Sequence, residues 1–215
     1  MLRVALRDST AVGLACLPMG LAFGVLVAHS TLPWWWASVF ATVVFAGSLE
    51  FLLLGLVTGG ASLSQIALAA LLVNARHVFY ALTFPLHRVS GRLAKAYSTF
   101  ALTDEAYALA QPHWRRGRIL TLQALIHVYW VSSVTLGAVT GGLLPARVTG
   151  LGFAVTALFL GLGLDAIRSQ RDALTPLIAA ACALLAHWCF PRELLVVAMA
   201  LFTGYVLVRF AVSRA

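Results

Sequence analysis

Residues 32–58 read LPWWWASVFATVVFAGSLEFLLLGLVT and contain one ionisable side chain, that of Glu50. An α-helix needs about 20 mostly apolar residues to cross the roughly 30 Å of hydrocarbon in a bilayer. Residues 35–58 meet that length, and the three tryptophans at 34–36 are typical of a membrane–water interface. This stretch therefore predicts a membrane-spanning segment.

The composition extends that prediction to the whole chain. Of its 215 residues, 61% are hydrophobic and 10% are charged, whereas soluble domains contain roughly 45–50% apolar and about 25% charged residues. The net charge of +8 comes from basic residues that lie mostly between apolar blocks. They form no basic patch with interleaved aromatics, so they indicate topology-setting loop charges rather than a nucleic-acid surface.

Seven stretches are long and apolar enough to span a membrane, or come close. They are residues 9–28, 35–58, 63–85, 119–143, 148–164, 173–190 and 194–210. Pro191 and Arg192 separate the last two, which predicts a tight helical hairpin. We therefore predict an all-α, polytopic membrane helix bundle that forms a single transmembrane transporter domain over residues 1–215.

The polar interval 86–118 predicts the orientation of the chain. Basic residues flank its central part, 98–111, which is too short to span, so both basic runs lie on one side and the interval is predicted to be a cytoplasmic loop. Counting back through three spans puts the N-terminus outside, although Arg3 and Arg7 argue against that orientation. The N-terminal run lacks a cleavage pattern and is interpreted as a mature segment rather than a signal peptide.

A faint internal repeat suggests two related halves, residues 1–85 and 119–190. The stretch 32–51 aligns with 144–167, and AALLVN (69–74) aligns with CALLAH (182–187). Three spans per half would give an inverted 3+3 repeat with one extra helix, the plan of many secondary transporters.

Two polar elements within predicted spans need a physical reason, since an ionisable group in hydrocarbon costs about 2.5–3.5 kcal/mol. Glu50 is a candidate for a carboxylate on a substrate path, pairing with Arg76 or an amino group or exchanging a proton, or for a buried acid that joins two helices. Arg76 cannot lose its proton, so it is either locked to Glu50 or clamps a substrate carboxylate. Asn74 and His77 flank it in NARH (74–77). His77 is a proton relay or a packing residue, and His127 is weighed in the same way.

Two further motifs carry candidate residues. In TDEAYAL (103–109), Thr103 is a plausible N-cap and the acids Asp104 and Glu105 suit a helix start. Alternatively these acids form a gate by pairing with Arg88, Arg92 or Arg115 in one state. The glycines and proline of the predicted spans are candidate helix breaks or close-packing sites, namely Pro18, Gly20 and Gly24 in PMGLAFG (18–24) and Gly47 beside Glu50.

Enzymatic chemistry finds no support in the sequence. It contains no phosphate-binding loop, no zinc-protease motif, no CxxC and no well-registered nucleophile–base pair. Its three cysteines lie in apolar stretches and are interpreted as small hydrophobes. We therefore expect no cofactor, no metal and no ATP motor, with transport driven by an ion or substrate gradient.

The motifs PMGLAFG, FAGSLEF (45–51), VNARHVFYAL (73–82) and TDEAYAL, in this order, resemble the AzlC family of branched-chain amino-acid exporters. The resemblance implies a permease of the bacterial inner membrane that exports branched-chain amino acids, often with a small membrane partner of the AzlD type. It carries over Pro18, Gly20, Gly24, Gly47, Asn74, Arg76, His77, Asp104 and Glu105. Glu50 departs from the glutamine expected in that family pattern, which affects the substrate or the coupling ion.

Two functions are weighed on this basis. The first is a secondary transporter that exports branched-chain or other small aliphatic amino acids, coupled to an ion or proton gradient. The second is a non-transporting membrane subunit that assembles with a small partner, the partner forming the path.

Overall fold

The computed structural model describes residues 2–143, 160–161, 164 and 174–212. The described residues of Met1–Ala61 and Val73–Leu151 form one compact unit, and those of Ser62–Leu72 and Gly152–Ala215 form a second. The elements in these residues are helices: α1 (Leu2–Ala28), α2 (Trp36–Val43), α3 (Gly47–Thr58), α4 (Leu63–Asn74), α5 (Arg76–Thr83), α6 (Arg92–Phe100), α7 (Asp104–Leu109), α8 (Arg116–Gly141), α9 (Leu174–Cys189) and α10 (Leu194–Val212). The predicted all-α class is confirmed.

The first unit is built on α1 and α8, which run parallel. Asp8 near the start of α1 pairs with Arg118 near the start of α8, while Val25 near the end of α1 lies against Gly141 at the end of α8. Most of the largest fully buried apolar side chains of this unit lie on these two helices, at Phe23, Val27, Ile119, Leu122, Ile126 and Val134.

Glycine lets α1 and α8 approach each other at backbone distance. A Cβ on Gly24 would overlap the carbonyl oxygen of Val134, and a Cβ on Gly137 would overlap the backbone of Leu21. Small residues at such crossings are the usual means by which membrane helices pack, because lipid supplies no hydrophobic force between them. The motif 18–24 is thus a packing surface. Helix α1 continues through Pro18, so the predicted helix break there is not found.

The stretch 35–58 is a helical hairpin and not the single span that its length predicts. Phe40 before the break and Phe51 after it both contact the ring of Phe23, with centroid distances of 6.3 and 5.0 Å. In a continuous helix, positions 40 and 51 would lie about 16 Å apart along the axis. Helices α2 and α3 therefore fold back on each other, with the turn at residues 44–46.

Helices α6 and α7 form a second hairpin, which enters from the other end of α8. Ser90 before α6 accepts a hydrogen bond from Arg116 at the start of α8 (3.5 Å), so this segment begins and ends at the same place. Its tip reaches the middle of α8, where Phe100 contacts the ring of His127 (5.7 Å). Residues 98–111 thus do not span, as predicted.

Three helices among the described residues are long and apolar enough to span a membrane, namely Arg3–Ala28, Leu63–Thr83 and Arg116–Gly141. Because Asp8 pairs with Arg118, the start of α1 lies at the same end as the basic interval 86–118. The prediction of an N-terminus on the opposite side was wrong, because it counted the α2–α3 hairpin as a span.

The second unit contains a pair of antiparallel helices. Helices α9 and α10 are joined by a 3₁₀ turn, Pro191–Glu193, and Arg209 near the end of α10 donates to Thr175 near the start of α9 (2.8 Å). The predicted tight hairpin is confirmed. Most of the predicted span 148–164, and with it most of the proposed repeat partner 144–167, lies outside the described residues.

Candidate functional site

Three helix starts converge near the level at which the hairpins turn. Arg76 begins α5 and donates through Nη1 to Asp104 Oδ2 (2.8 Å) and through Nη2 to Ser48 Oγ (3.2 Å). Asp104 begins α7, and Ser48 lies in the first turn of α3. The side chains of Arg76 and Asp104 are 43% and 41% exposed, so the described residues leave this ion pair partly uncovered.

Two buried side-chain oxygens on the helices of the junction have no hydrogen bond to a described residue. They are the carboxylate Oδ1 of Asp104, which has the hydroxyl of Tyr80 nearby, and the amide Oδ1 of Asn74, two residues before Arg76. Unpaired buried acceptors are rare in folded proteins and cost free energy. A ligand that carries N–H donors would satisfy them, which makes the acceptors part of the candidate site.

Aromatic packing holds α5 against α7. Tyr80 and Tyr107 stack with ring centroids 4.4 Å apart and an interplanar angle of 12°. The hydroxyl of Tyr107 lies 2.8 Å from that of Thr83. These contacts keep Arg76 and Asp104 at the same level, so their ion pair is positioned by the two helices that carry it.

His77 lies beside this junction. Its Nδ1 lies 3.1 Å from the backbone oxygen of Asn74, and its ring packs edge-on against Tyr80 with centroids 5.5 Å apart. These contacts bridge the interruption between α4 and α5 at Ala75. His77 thus stabilises the local backbone. A role for His77 as a proton relay stays a prediction.

Glu50 is bound by the protein and does not pair with Arg76. Its side chain is fully buried, and its Oε1 accepts from the N–H of Ala46 (3.0 Å) and from Nε1 of Trp130 (2.9 Å). The predicted Arg76–Glu50 lock is therefore wrong, since the partner of Arg76 is Asp104. Glu50 instead closes the first turn of α3, where the break leaves an N–H without a helical partner.

The remaining acid, Glu105, is exposed on α7 and forms no ion pair with a described residue. Thr103 caps this helix by accepting from the N–H of Ala106 (3.3 Å), as its position in the sequence predicts. Asp104 has Arg76 as its partner here, rather than the basic residues of the loop. The gate role of the two acids stays a prediction.

The four predicted helix-break residues divide into two groups. Pro18, Gly20 and Gly24 lie within continuous α1, and the two glycines face α8. Gly47 begins α3 directly after the hairpin turn, where a Cβ would lie 3.2 Å from the ring of Trp130. Only Gly47 is thus at a break, which centres on Phe45.

Two residues of α8 that the sequence did not single out as site residues hold the hairpins. Gln123 donates to the backbone oxygens of Ser98 (2.8 Å) and Ala101 (3.1 Å) at the end of α6, and Trp130 donates to Glu50 at the start of α3. Both are buried polar groups in a spanning helix. Gln123, Trp130 and His127 recur at a helical spacing that shares one face, which is the signal that identifies them.

In the described residues, no group of three or more His, Cys, Asp or Glu side chains converges as a metal site would require. The ion pair, the free acceptors and the hydroxyl of Ser48 suit a small zwitterion, whose carboxylate and ammonium need donors and acceptors side by side.

Comparison with known proteins relates this architecture to a family of membrane proteins. A family model described as AzlC protein matches residues 11–144, more than half of the chain. An uncharacterized membrane protein of Helicobacter pylori (strain J99) is 26% identical over 174 residues, which cover 78% of this chain and 76% of that protein. The inner membrane protein YgaZ of Escherichia coli (strain K12) is 27% identical over 180 residues, or 77% and 73% of the two chains.

One relative has a name that states a substrate. The branched-chain amino acid transport protein AzlC of Bacillus subtilis (strain 168) is 27% identical over 149 residues, which cover 66% of this chain and 58% of that protein. The chain thus spans less than two thirds of the length of the Bacillus protein. No solved structure matches the chain significantly. With helices long enough to span and relatives named as membrane proteins, this is a multi-pass membrane protein, and the match over residues 11–144 shows that it belongs to the AzlC family.

Proposed function

We propose that this chain is a secondary transporter that exports branched-chain or other small aliphatic amino acids. The observation that carries the proposal is the junction of Ser48, Arg76 and Asp104 at three helix starts. Interrupted helices that meet near the middle of the membrane are a recurring plan for solute sites in transporters.

The junction suits the main-chain groups of an amino acid. The guanidinium of Arg76 is a permanent cation whose planar N–H donors match a carboxylate, and the first turn of α3 adds a favourable dipole. The free Oδ1 atoms of Asp104 and Asn74 are acceptors for an ammonium group. Both ends of a zwitterion thus find partners within one site.

The aliphatic substrate class rests on the Bacillus relative, whose name states branched-chain amino acid transport. Export as the direction, and coupling to an ion or proton gradient, rest on the family resemblance and on the lack of an ATP-binding motif in the sequence. We include a small AzlD-type membrane protein as a partner in this proposal, and we propose no enzymatic activity.

Exchange of labelled valine in proteoliposomes tests the proposal. Asp104→Asn removes the charge that faces Arg76, and Asp8→Asn is the matched control because it removes the other ion-paired carboxylate of the described residues. We expect exchange to fall by about tenfold or more in Asp104→Asn, as the loss of a charge-assisted contact predicts. It should fall much less in Asp8→Asn, and equal exchange in all three proteins would remove the junction from the path.

The alternative is a non-transporting subunit whose polar residues only hold helices together. In that case, valine exchange would require the small partner, and Asp104→Asn would lower the amount of complex in parallel with activity. Proteoliposomes that contain the chain alone, or the chain with its partner, separate the two functions. Exchange by the chain alone supports the transporter.

A further inference from the structure

His127 lies where the two hairpin tips meet. Its ring stacks on Phe45 at the tip of α2–α3, with centroids 4.2 Å apart and an interplanar angle of 26°. Phe100 at the tip of α6–α7 contacts the same ring and lies 5.9 Å from Phe45. The imidazole is thus in contact with both hairpins and belongs to the continuous helix α8.

The hairpin turn leaves backbone acceptors beside this imidazole. In a continuous helix, the carbonyls of Ala41 and Thr42 would accept from the N–H groups four residues ahead. Here the N–H of Phe45 bonds to Phe40 instead (3.3 Å), and that of Ala46 bonds to Glu50. The carbonyl oxygens of Ala41 and Thr42 lie close to His127, so the C-terminal end of α2 presents partial negative charge to the ring.

The side chains around the ring offer it few hydrogen-bond partners. Nε2 of His127 is buried and has no hydrogen-bond partner among the described residues, and Nδ1 makes only a long contact of 3.5 Å with the hydroxyl of Tyr97. Tyr97 on α6 is the titratable side chain in contact with the ring. Glu50 accepts a hydrogen bond from Trp130, which lies one helical turn after His127 on α8. Among the described residues, no Lys or Arg side chain forms a hydrogen bond with His127.

His127 also lines an open groove of about 590 Å³ on the surface of the first unit. The lining is mostly aliphatic, at Val128, Val131, Leu136 and Val139, and it includes the hydroxyl-bearing residues Thr42, Ser132 and Thr135. The ring is thus at the edge of the unit rather than sealed in its core.

The backbone at the turn is strained in a way that serves this contact. Phe45 has φ of 46° and is the one described non-glycine residue in the left-handed region, a conformation that is unfavourable for a bulky side chain. The strained turn presents the phenyl ring to His127. A protonated ring would gain a cation–π contact with Phe45 and would donate to the carbonyls at the end of α2. These contacts offset the strain at Phe45 and the cost of a buried charge.

We propose that His127 is the proton-binding site that couples transport to the proton gradient, and that its protonation holds the two hairpin tips together beside the Arg76 junction. The nitrogen lone pair takes up one proton from water and returns it to water when the tips separate. This inference rests on the proposed function, because coupling requires a transported solute.

Two assays on proteoliposomes that contain the full chain test it, with His127→Gln as the variant and His113→Gln, at an exposed position in the interval 86–118, as the matched control. One is exchange of labelled valine at equal pH on both sides, and the other is net movement of valine driven by a pH gradient. We expect His127→Gln to retain exchange and to lose gradient-driven movement by about tenfold or more. Gradient-driven movement that survives in His127→Gln overturns the inference.

A second measurement keeps the inference testable if the variant loses both activities. In ¹⁵N-histidine NMR spectra of the purified chain, His127→Gln identifies the signals of this ring by their absence. The ring should pass from neutral to protonated as the pH is lowered from about 8 to 5, and a ring that stays neutral overturns the inference. If the wild-type chain exchanges no valine, the proposed function fails, whereas this titration still reports on the proton site.

Discussion

At the scale of single residues, the site depends on which acid meets which base. Arg76 is joined to Asp104 across two different helix starts, and Glu50, although only two residues beyond Ser48, is enclosed by Ala46 and Trp130. The two carboxylates thus have different environments. Asp104 is half exposed and has a free oxygen, which suits ligand binding, while Glu50 stabilises the turn before α3.

Two substitutions at Glu50 separate the contribution of its hydrogen bonds to stability from that of its charge. Glu50→Gln keeps an oxygen that accepts from both Ala46 and Trp130, so we expect normal protein abundance and an unchanged unfolding midpoint in detergent. Glu50→Leu leaves those two N–H donors unpaired, at a cost of about 1–3 kcal/mol each. We expect its midpoint to fall by several degrees. Equal stability of the two variants would show that the hydrogen bonds to Glu50 contribute nothing.

A substitution at Ser48 tests the second contact of Arg76. Ser48→Ala removes the hydroxyl that Nη2 meets at 3.2 Å and keeps the ion pair with Asp104. We expect the valine concentration for half-maximal exchange to rise by a few fold, since a single hydrogen bond contributes about 0.5–1.5 kcal/mol. Thr10→Ala is the control, because that exposed hydroxyl bonds only to the backbone of Leu6 on its own helix. A shift of the same size in both variants would argue against a role for Ser48.

At the scale of elements, α8 supports both hairpins while packing along α1. Gln123 holds the end of α6, and Trp130 holds the start of α3 through Glu50. Helix α1 lies against α8 through backbone contacts at glycines. The two long helices thus form a frame on which two half-length helical hairpins are positioned.

Glycine substitutions test that frame. Gly24→Ala introduces a methyl group where the backbone of α8 already lies, whereas Gly55→Ala in α3 meets nothing within 4 Å. Overpacking of this kind costs about 1–3 kcal/mol, so we expect reduced abundance and a lower unfolding midpoint for Gly24→Ala. The Gly55→Ala protein should equal the wild type or exceed it slightly, because alanine favours helix. Two variants of equal stability would contradict the close contact of α1 with α8.

The sequence predicted the helices better than their ends. Apolar length gave the continuous helices α1 and α8 and the α9–α10 hairpin, and TDEAYAL gave the cap at Thr103. Length alone failed for residues 35–58, because the turn forms at Phe45, a residue with no turn propensity, and not at a glycine or proline. The preference of Ala46 for Glu50 over its helical acceptor is a tertiary effect, and no local pattern encodes it.

The sequence predicted which residues form the candidate site, but it did not predict which of them pair with each other. NARH and TDE supplied Asn74, Arg76 and Asp104, because permanent charge in an apolar segment requires a reason. Which acid reaches Arg76 depends on how far each hairpin enters, and that depth follows from side chains on α8. His127 was noted, but its position between two tips could not be read from one helix.

At the scale of the whole molecule, the described helices change the orientation derived from the sequence. Helices α1 and α8 start at the same end, and the two hairpins approach α8 from its opposite ends. Arg3 and Arg7 therefore lie at the same end as the basic interval 86–118. All these charges then follow the positive-inside rule.

Cysteine labelling tests that orientation. In a chain whose native cysteines are replaced by alanine, Arg3→Cys and His113→Cys should react with a membrane-impermeant thiol reagent only from the same side of sealed vesicles. The reason is that Asp8 and Arg118, near these positions, form an ion pair. Labelling of the two positions from opposite sides would contradict the parallel arrangement of α1 and α8.

We infer that a solute binds at the junction of Arg76 and Asp104. Binding of labelled leucine to the purified chain tests this in the wild type, in Arg76→Gln and in Arg118→Gln, which removes the arginine of the other ion pair of the described residues. We predict saturable binding in the wild type and in Arg118→Gln, and its loss in Arg76→Gln. Binding to Arg76→Gln with wild-type affinity would contradict the claim.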